Sequence, residues 1–201
     1  MDSEKAIKQL NQIIKLINKK ELRLSAQWPK KWQILISTIL SAQTRDEVTI
    51  KTCEVLFKKY KTPESLSKAK ISKIERIIRR VNYHKTKSRN IIATSKAINQ
   101  KGIPKNVEGL ILLPGVGRKV ANVYLAEAYK ADVIGVDTHV GRISRKLSWT
   151  DKKNPYKVEK DLEKLFPKRY WRKINETLVK FGRIFGRSRI KEDEILKKIN
   201  S

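Results

Sequence analysis

The spacing of the apolar residues constrains this chain most. Leu10, Ile13, Ile14 and Ile17 recur at i, i+3, i+4 and i+7, and so do Ile74, Ile77, Ile78 and Val81. At 3.6 residues per turn, that spacing gathers each set onto one face of an α-helix. Helix-start signals repeat along the chain. In KTPESL, Thr62 stands at a cap position and Pro63 at the first helical position. KNPYKVEKDLEKLF uses Asn154 and Pro155 in the same way and then places Val158, Leu162 and Leu165 on one face. Ile174, Leu178 and Phe181 mark a further helix. Only ADVIGV, Ala131 to Val136, reads as extended, and it is too short to found a sheet. The expected class is all-α.

Charge narrows the partner. Lys and Arg total 47 against 20 Asp and Glu, a net +27 at pH 7. A field of that sign favours a polyanion, and nucleic acid is the default. A merely solvated basic surface is the competing reading. The basic residues interleave with the apolar faces, so most belong to folded surface and not to a disordered arm. No apolar run approaches the ~20 residues of a membrane span. The start, MDSEKAIKQL, has no signal-peptide layout, so the expectation is an intracellular, DNA-associated protein of the cytoplasm or nucleoid. The single cysteine, Cys53, makes neither a disulfide nor a zinc or iron–sulfur site by itself. It reads as a buried thiol.

The stretch LPGVGRKVANV, Leu113 to Val123, carries the sharpest local signal. Asn106 is placed to cap a short helix reaching Leu113, and Pro114 stops it. Gly115 and Gly117 permit a tight turn and leave backbone N–H groups uncovered. A second helix opens near Arg118. Turn amides and a helix N-terminus together suit a phosphate. An ordinary helix–turn–helix, with glycines for geometry only, fits the same residues. Lys119 is either one more phosphate contact or a chemical group. Downstream in VIGVDTHVGRI, Asp137 precedes the helical set Val140, Ile143 and Leu147, so it is a good N-cap. A capping carboxylate is held rigidly and stays ionised, which also suits it to a cationic transition state.

Together these stretches carry a resemblance. LPGVGRKVAN followed by VDTHVGRISRKL resembles the helix-hairpin-helix and trailing aspartate of the endonuclease III family of DNA glycosylases, and ILSAQTRD, Ile39 to Asp46, resembles an early segment of that family. The likeness runs from about residue 4 to about residue 185. It implies base-excision DNA repair by a bifunctional glycosylase and AP lyase, a hydrolase and lyase in one chain. The implied fold is two helical subdomains with double-stranded DNA in a cleft between them. One would span 22–131, with the hairpin at about 106–128. The other would combine 1–21 with 132–201. The implied protein is a monomer acting on damaged, oxidised pyrimidines. A sister specificity (a mismatched or deaminated base, a pyrimidine dimer, an oxidised guanine) and a non-catalytic hairpin DNA-binding protein remain alternatives.

By residue, the resemblance implies Lys119 as the nucleophile and Asp137 as the essential aspartate. It implies that Gly115, Val116, Gly117 and Arg118 hold DNA, with Gln43 filling the gap left by a flipped nucleotide. Tyr83, in RVNYHKTKS, falls where a wedging side chain, often leucine, enters from the other side. Ser41, Asp46 and His139 match positions near the pocket. His139 has no second ligand at metal-binding spacing. The carbonyls of Ile111, Leu113 and Val116 match those that hold a monovalent cation, Na+ or K+, in relatives. One departure is large. Gly186 stands where the first of four cluster cysteines falls in many relatives, and no cysteine follows it. The expectation is a member with no iron–sulfur cluster and no required cofactor. Phe185, Ile190, Ile195, Leu196 and Ile199 would supply apolar packing there, with Arg187 and Arg189 as replacement DNA contacts and Asp193 and Glu194 near the helix start.

Overall fold

A computed structural model describes residues 1–18, 22–186 and 188–200. The expected boundary after residue 21 and the proposed contact Arg187 lie outside the described residues. Among the described residues all regular structure is helical. In chain order the helices are α1 (Ser3–Ile17), α2 (Lys31–Ser41), α3 (Asp46–Lys59), α4 (Pro63–Ser67), α5 (Ile71–Ile78) and α6 (His84–Lys101). There follow α7 (Val107–Leu110), α8 (Arg118–Tyr129), α9 (Thr138–Lys146), α10 (Pro155–Leu165), α11 (Lys168–Phe185) and α12 (Arg189–Asn200).

Arg23–Tyr129 form one compact unit. Helix α2 is buried from Trp32 to Leu40 on every side, as a helix with apolar residues all round must be. It packs against α3, α6 and α8. Trp28 and Trp32 meet Phe57 edge-on at centroid distances of 4.9 and 5.1 Å, a favoured aromatic geometry. Thr62 caps α4 by accepting the Ser65 N–H at 3.1 Å, and Pro63 takes the first turn. Cys53 is fully buried in α3, and burial pushes its thiol pKa well up, so it is an inert core group.

Met1–Leu22 and Lys130–Ser201 form the second unit. Helix α1 lays Ala6, Leu10, Ile13 and Ile17 against α11 and α12. The shared core includes Ile134, Val140, Ile143, Leu162, Leu178 and Phe181. A buried polar chain crosses it. The Trp149 indole N–H donates to Gln9 Oε1 at 2.6 Å, and Gln9 Nε2 donates to Asn200 Oδ1 at 2.9 Å.

The C-terminal segment forms α12, which docks with Leu196 and Ile199 buried and Ile195 partly buried. One expectation needs correction. Ile190 is 74% exposed, because the inward face of α12 runs 192, 196, 199 and Ile190 lies off it. The residue that begins that face is a carboxylate, Glu192, fully buried between Arg142 and Lys146. At Gly186 a Cβ would sit 2.3 Å from the Gly182 carbonyl oxygen and 2.7 Å from Glu192 Oε2. The first cluster-cysteine position is therefore closed to a side chain in this packing.

Candidate active site

The hairpin is built from its caps inward. Asn106 Oδ1 accepts the Gly109 N–H at 2.9 Å and starts α7. The helix ends at Leu110, short of the expected Leu113. Pro114 has no N–H to offer the Leu110 carbonyl, which instead accepts from Leu113 at 3.0 Å, tightening the chain into a turn. The Val116 N–H then donates to the Leu113 carbonyl at 3.1 Å. Gly115 has φ +79, and a Cβ there would meet Asn90 Nδ2 at 2.7 Å, so any other residue would be strained and would have to displace Asn90. Gly117 is different: a Cβ would meet nothing within 4 Å, and the residue is exposed. Val116 is buried and pins the turn, while Arg118 is exposed and Lys119 half-buried at the start of α8.

Helix α6 supports this turn from below. Thr94 Oγ1 donates to the Pro114 carbonyl at 2.8 Å, and Asn90 lies against Gly115. One turn back, Lys87 is only 6% exposed, yet it carries an ammonium. Its Nζ donates to the Leu40 and Ala42 carbonyls at 2.7 and 2.5 Å. Burial, and next the Lys119 charge, lower its pKa to about 8. Charge on either amine opposes charge on the other.

Ser41, Gln43 and Tyr83 lie around the same unit. The Ser41 hydroxyl turns back onto the Thr38 carbonyl at 2.9 Å. Gln43 is exposed with φ 56, and Tyr83 is 66% exposed with φ 57, so both adopt the left-handed conformation that non-glycine residues avoid. Asn82 joins them: its side-chain amide donates to the Gln43 carbonyl, and its backbone N–H donates to Thr44 Oγ1 at 3.2 Å. Asp46 is buried at the first position of α3.

Asp137 belongs to the other unit. Buried Ile134 and Val136 anchor the extended segment before it, and Asn175 Nδ2 donates to the Gly135 carbonyl at 2.5 Å. Asp137 then caps α9, with Oδ1 accepting the Val140 N–H at 2.9 Å. His139 packs so tightly under Gly182 that a Cβ there would lie 2.1 Å from His139 Nδ1. Arg142 reaches the same nitrogen at 3.3 Å and grips Glu192 with two nitrogens, at 3.0 and 2.8 Å. Burial lowers the His139 pKa. Asp137 opposes that shift, and Arg142 and Arg183 add to it. Among the described residues, no group of three His, Cys, Asp or Glu side chains is arranged to hold a metal ion.

The sequence profile described as HhH-GPD superfamily base excision DNA repair protein matches residues 36–168. Endonuclease III of Thermotoga maritima is 41% identical over 155 residues, covering 76% of this chain and 73% of the relative. Endonuclease III of Bacillus subtilis is 34% identical over 158 residues, covering 76% and 71%. The chain belongs to the endonuclease III family. A solved structure of a trapped endonuclease III–DNA covalent intermediate superimposes with a TM-score of 0.86 at 30% identity, over 94% of this chain and 90% of that one. The family makes this a base-excision DNA repair enzyme, a DNA glycosylase and AP lyase on the helix-hairpin-helix glycosylase fold. No helix among the described residues is long and apolar enough to cross a membrane.

Four residues with evident structural work were not singled out from the sequence: Lys87, Asn82, Asn90 and Glu192. Lys87 had a signal. It shares the inward register of α6 with Ile91, Thr94 and Ile98, where a lysine must find carbonyl or carboxylate partners.

Proposed function

We propose that this chain removes damaged, oxidised pyrimidines from double-stranded DNA as a monomer and nicks the abasic site through Lys119. The observation that carries the reading is the seat of Lys119, half-buried where α8 opens from the Gly115–Gly117 turn. Lys119 Nζ attacks the deoxyribose C1′, and the glycosidic bond breaks as the base departs with its electron pair and takes up a proton. Loss of a proton from nitrogen and ring opening yield an imine. The imine acidifies the C2′ proton. Its removal expels the 3′ phosphate by β-elimination, and water then hydrolyses the imine to free the lysine.

Asp137, fixed as a cap, stabilises positive charge at the sugar as the base leaves. The amides of Gly115 and Gly117 hold a backbone phosphate with Arg118 beside them, and Val116, whose N–H is kept by the Leu113 carbonyl, shapes the turn that presents them. Gln43 and Tyr83 occupy the space vacated by a flipped nucleotide. Ser41 and His139 act behind these groups, as Asp46 does, through the elements they brace. The carbonyls of Ile111, Leu113 and Val116, on the turn that follows α7, would hold a monovalent cation of the Na+ or K+ kind, the Leu113 oxygen offering its second lone pair beside the Val116 N–H it already accepts. Such hard cations take oxygen ligands. No other cofactor enters the proposed chemistry, and the enzyme works on DNA inside the cell.

Borohydride trapping tests the central step. Wild type should form a reducible covalent complex with abasic duplex, and Lys119→Gln should form none while binding DNA nearly as well. Trapping of the variant at the wild-type rate would place the nucleophile elsewhere. A panel of duplexes, each with one defined lesion, reads the substrate class. Faster release of a mismatched base or an oxidised guanine than of an oxidised pyrimidine would overturn that part of the proposal.

A further inference from the structure

Helix α6 carries four residues in one register: Tyr83 at its cap, then Lys87, Asn90 and Thr94. The last two brace the hairpin turn at Gly115 and Pro114. Lys87 braces something else. Its three donors all point at the end of α2: the Leu40 and Ala42 carbonyls at 2.7 and 2.5 Å and Thr44 Oγ1 at 3.4 Å. Those residues flank Gln43. A cation at a helix C-terminus is favourable, since the last carbonyls lack helical donors and carry the negative end of the dipole. A neutral side chain would serve the carbonyls too. The fold instead buries an ammonium there, against desolvation and against Lys119.

The loops that Lys87 and Asn82 join each hold a left-handed non-glycine residue, Gln43 and Tyr83, two of the four such residues among those described, with Lys130 and Ser148 elsewhere. Each such conformation is strained for a residue with a Cβ and persists only where the surroundings over-determine it. Lys87 and Asn82 belong to that surrounding. Lys87 clamps the end of α2, and Asn82 binds the Gln43 carbonyl and Thr44 Oγ1.

We propose that Lys87 is a positioning residue that locks the Gln43 and Tyr83 loops to one another and to the hairpin, so that both side chains enter DNA in fixed register. This rests on the reading of Gln43 and Tyr83 as gap-filling residues. Lys87 touches neither DNA nor the reacting atoms. It acts through the loops, and α6 transmits the register to the turn that bears Lys119.

The role predicts a split between two substrates. In the full-length chain, Lys87→Met should slow single-turnover base release from duplex containing one oxidised pyrimidine by ~10-fold or more, as misplacement of about 1 Å costs up to ~10²-fold. Borohydride trapping on single-stranded abasic DNA, which needs no flipping, should stay within about twofold. The fluorescence rise of 2-aminopurine opposite the lesion should shrink in parallel with base release. Lys87→Arg, which can donate to the same carbonyls, should recover most of the rate. Asn82→Ala, which cuts the second tie without touching α2, should reproduce the split and keeps the test open if Lys87→Met folds poorly. Equal losses on both substrates would overturn the proposal, because Lys87 would then act on Lys119 through charge or on the fold as a whole. Unchanged base release would overturn it as well. Failure of wild type to trap on either substrate would instead sink the Lys119 mechanism, so the two failures are distinguishable.

Discussion

Asp137 is a helix cap, and the proposed chemistry asks a second role of the same carboxylate. Its cap on the Val140 amide fixes the carboxylate at the start of α9. Asparagine caps a helix about as well as aspartate. Asp137→Asn therefore separates the two roles. Base release should fall by ~10²-fold or more, the scale seen when a preorganised group facing developing charge is lost. Melting temperature should move little. Single-turnover kinetics beside a thermal melt checks both, and unchanged turnover would leave capping as the whole role of Asp137. Gly115 gives the converse case. Gly115→Ala puts a methyl on Asn90 and an L-residue at φ +79, so it should perturb the turn and weaken DNA binding. Gly117→Ala has open space and should cost affinity only through phosphate access. Filter or fluorescence binding of abasic duplex by the two variants tests the distinction.

At the scale of the element, α12 is held by charge as much as by apolar burial. Glu192 is fully buried, while Arg142 and Lys146 keep 22% and 26% exposure. Breaking a wholly buried pair costs ~3–5 kcal/mol, and the partial exposure of both cations lowers that to about 2–3 kcal/mol for Glu192→Gln. For a chain of this size that is a drop of roughly 5–10 °C in melting temperature. Deleting 188–201 should lower it further, because Leu196 and Ile199 are lost as well. A truncated chain that melts and cleaves like the full one would make the segment a dispensable basic arm. Acid should act on the same region. Burial opposes the Glu192 charge, but the Arg142 and Lys146 contacts outweigh it and hold its pKa below the ordinary 4.5. A depressed folded pKa gives stability that is present above the unfolded value and lost as pH falls through the folded one. His139, also depressed, below its ordinary 6.5, behaves likewise at higher pH. The melting temperature should therefore decline below about pH 6.5 and again below about pH 4.5. His139→Gln should flatten the first decline and Glu192→Gln the second.

At the scale of the whole molecule, the excess of positive charge should supply most of the DNA affinity. Each neutralised phosphate releases counterions, so log K falls against log salt with a slope near −0.9 per contact on duplex. Binding of undamaged duplex should weaken by ~10²-fold or more between about 50 and 200 mM salt. A flat response in a salt titration would mean that the +27 serves something other than DNA. Lys119→Gln removes one charge of the 47 basic residues and should leave that slope almost unchanged.

The helices were legible because burial imposes a period on the residues that face inward, and caps such as Thr62, Asn106, Asp137 and Asn154 announce their starts. The hairpin was legible because proline and glycine act locally, through a missing donor and a missing Cβ. The absence of further cysteines is a plain count. The sequence alone determined the helical class, the position of the hairpin and the residues that tie it to its family. It did not disclose where α7 ends, which depends on a bond from Leu113 to Leu110 that competes with continued helix. Nor did it show which polar side chains meet across helices. Lys87 reads as one lysine among many, and Glu192 as one acid at a helix start. Their partners, at Leu40 and Ala42 and at Arg142 and Lys146, lie more than forty residues away. A periodic pattern states which face of a helix turns inward. Only the packed structure decides what that face meets, because a buried charge is specified by its partners and not by its neighbours in the chain.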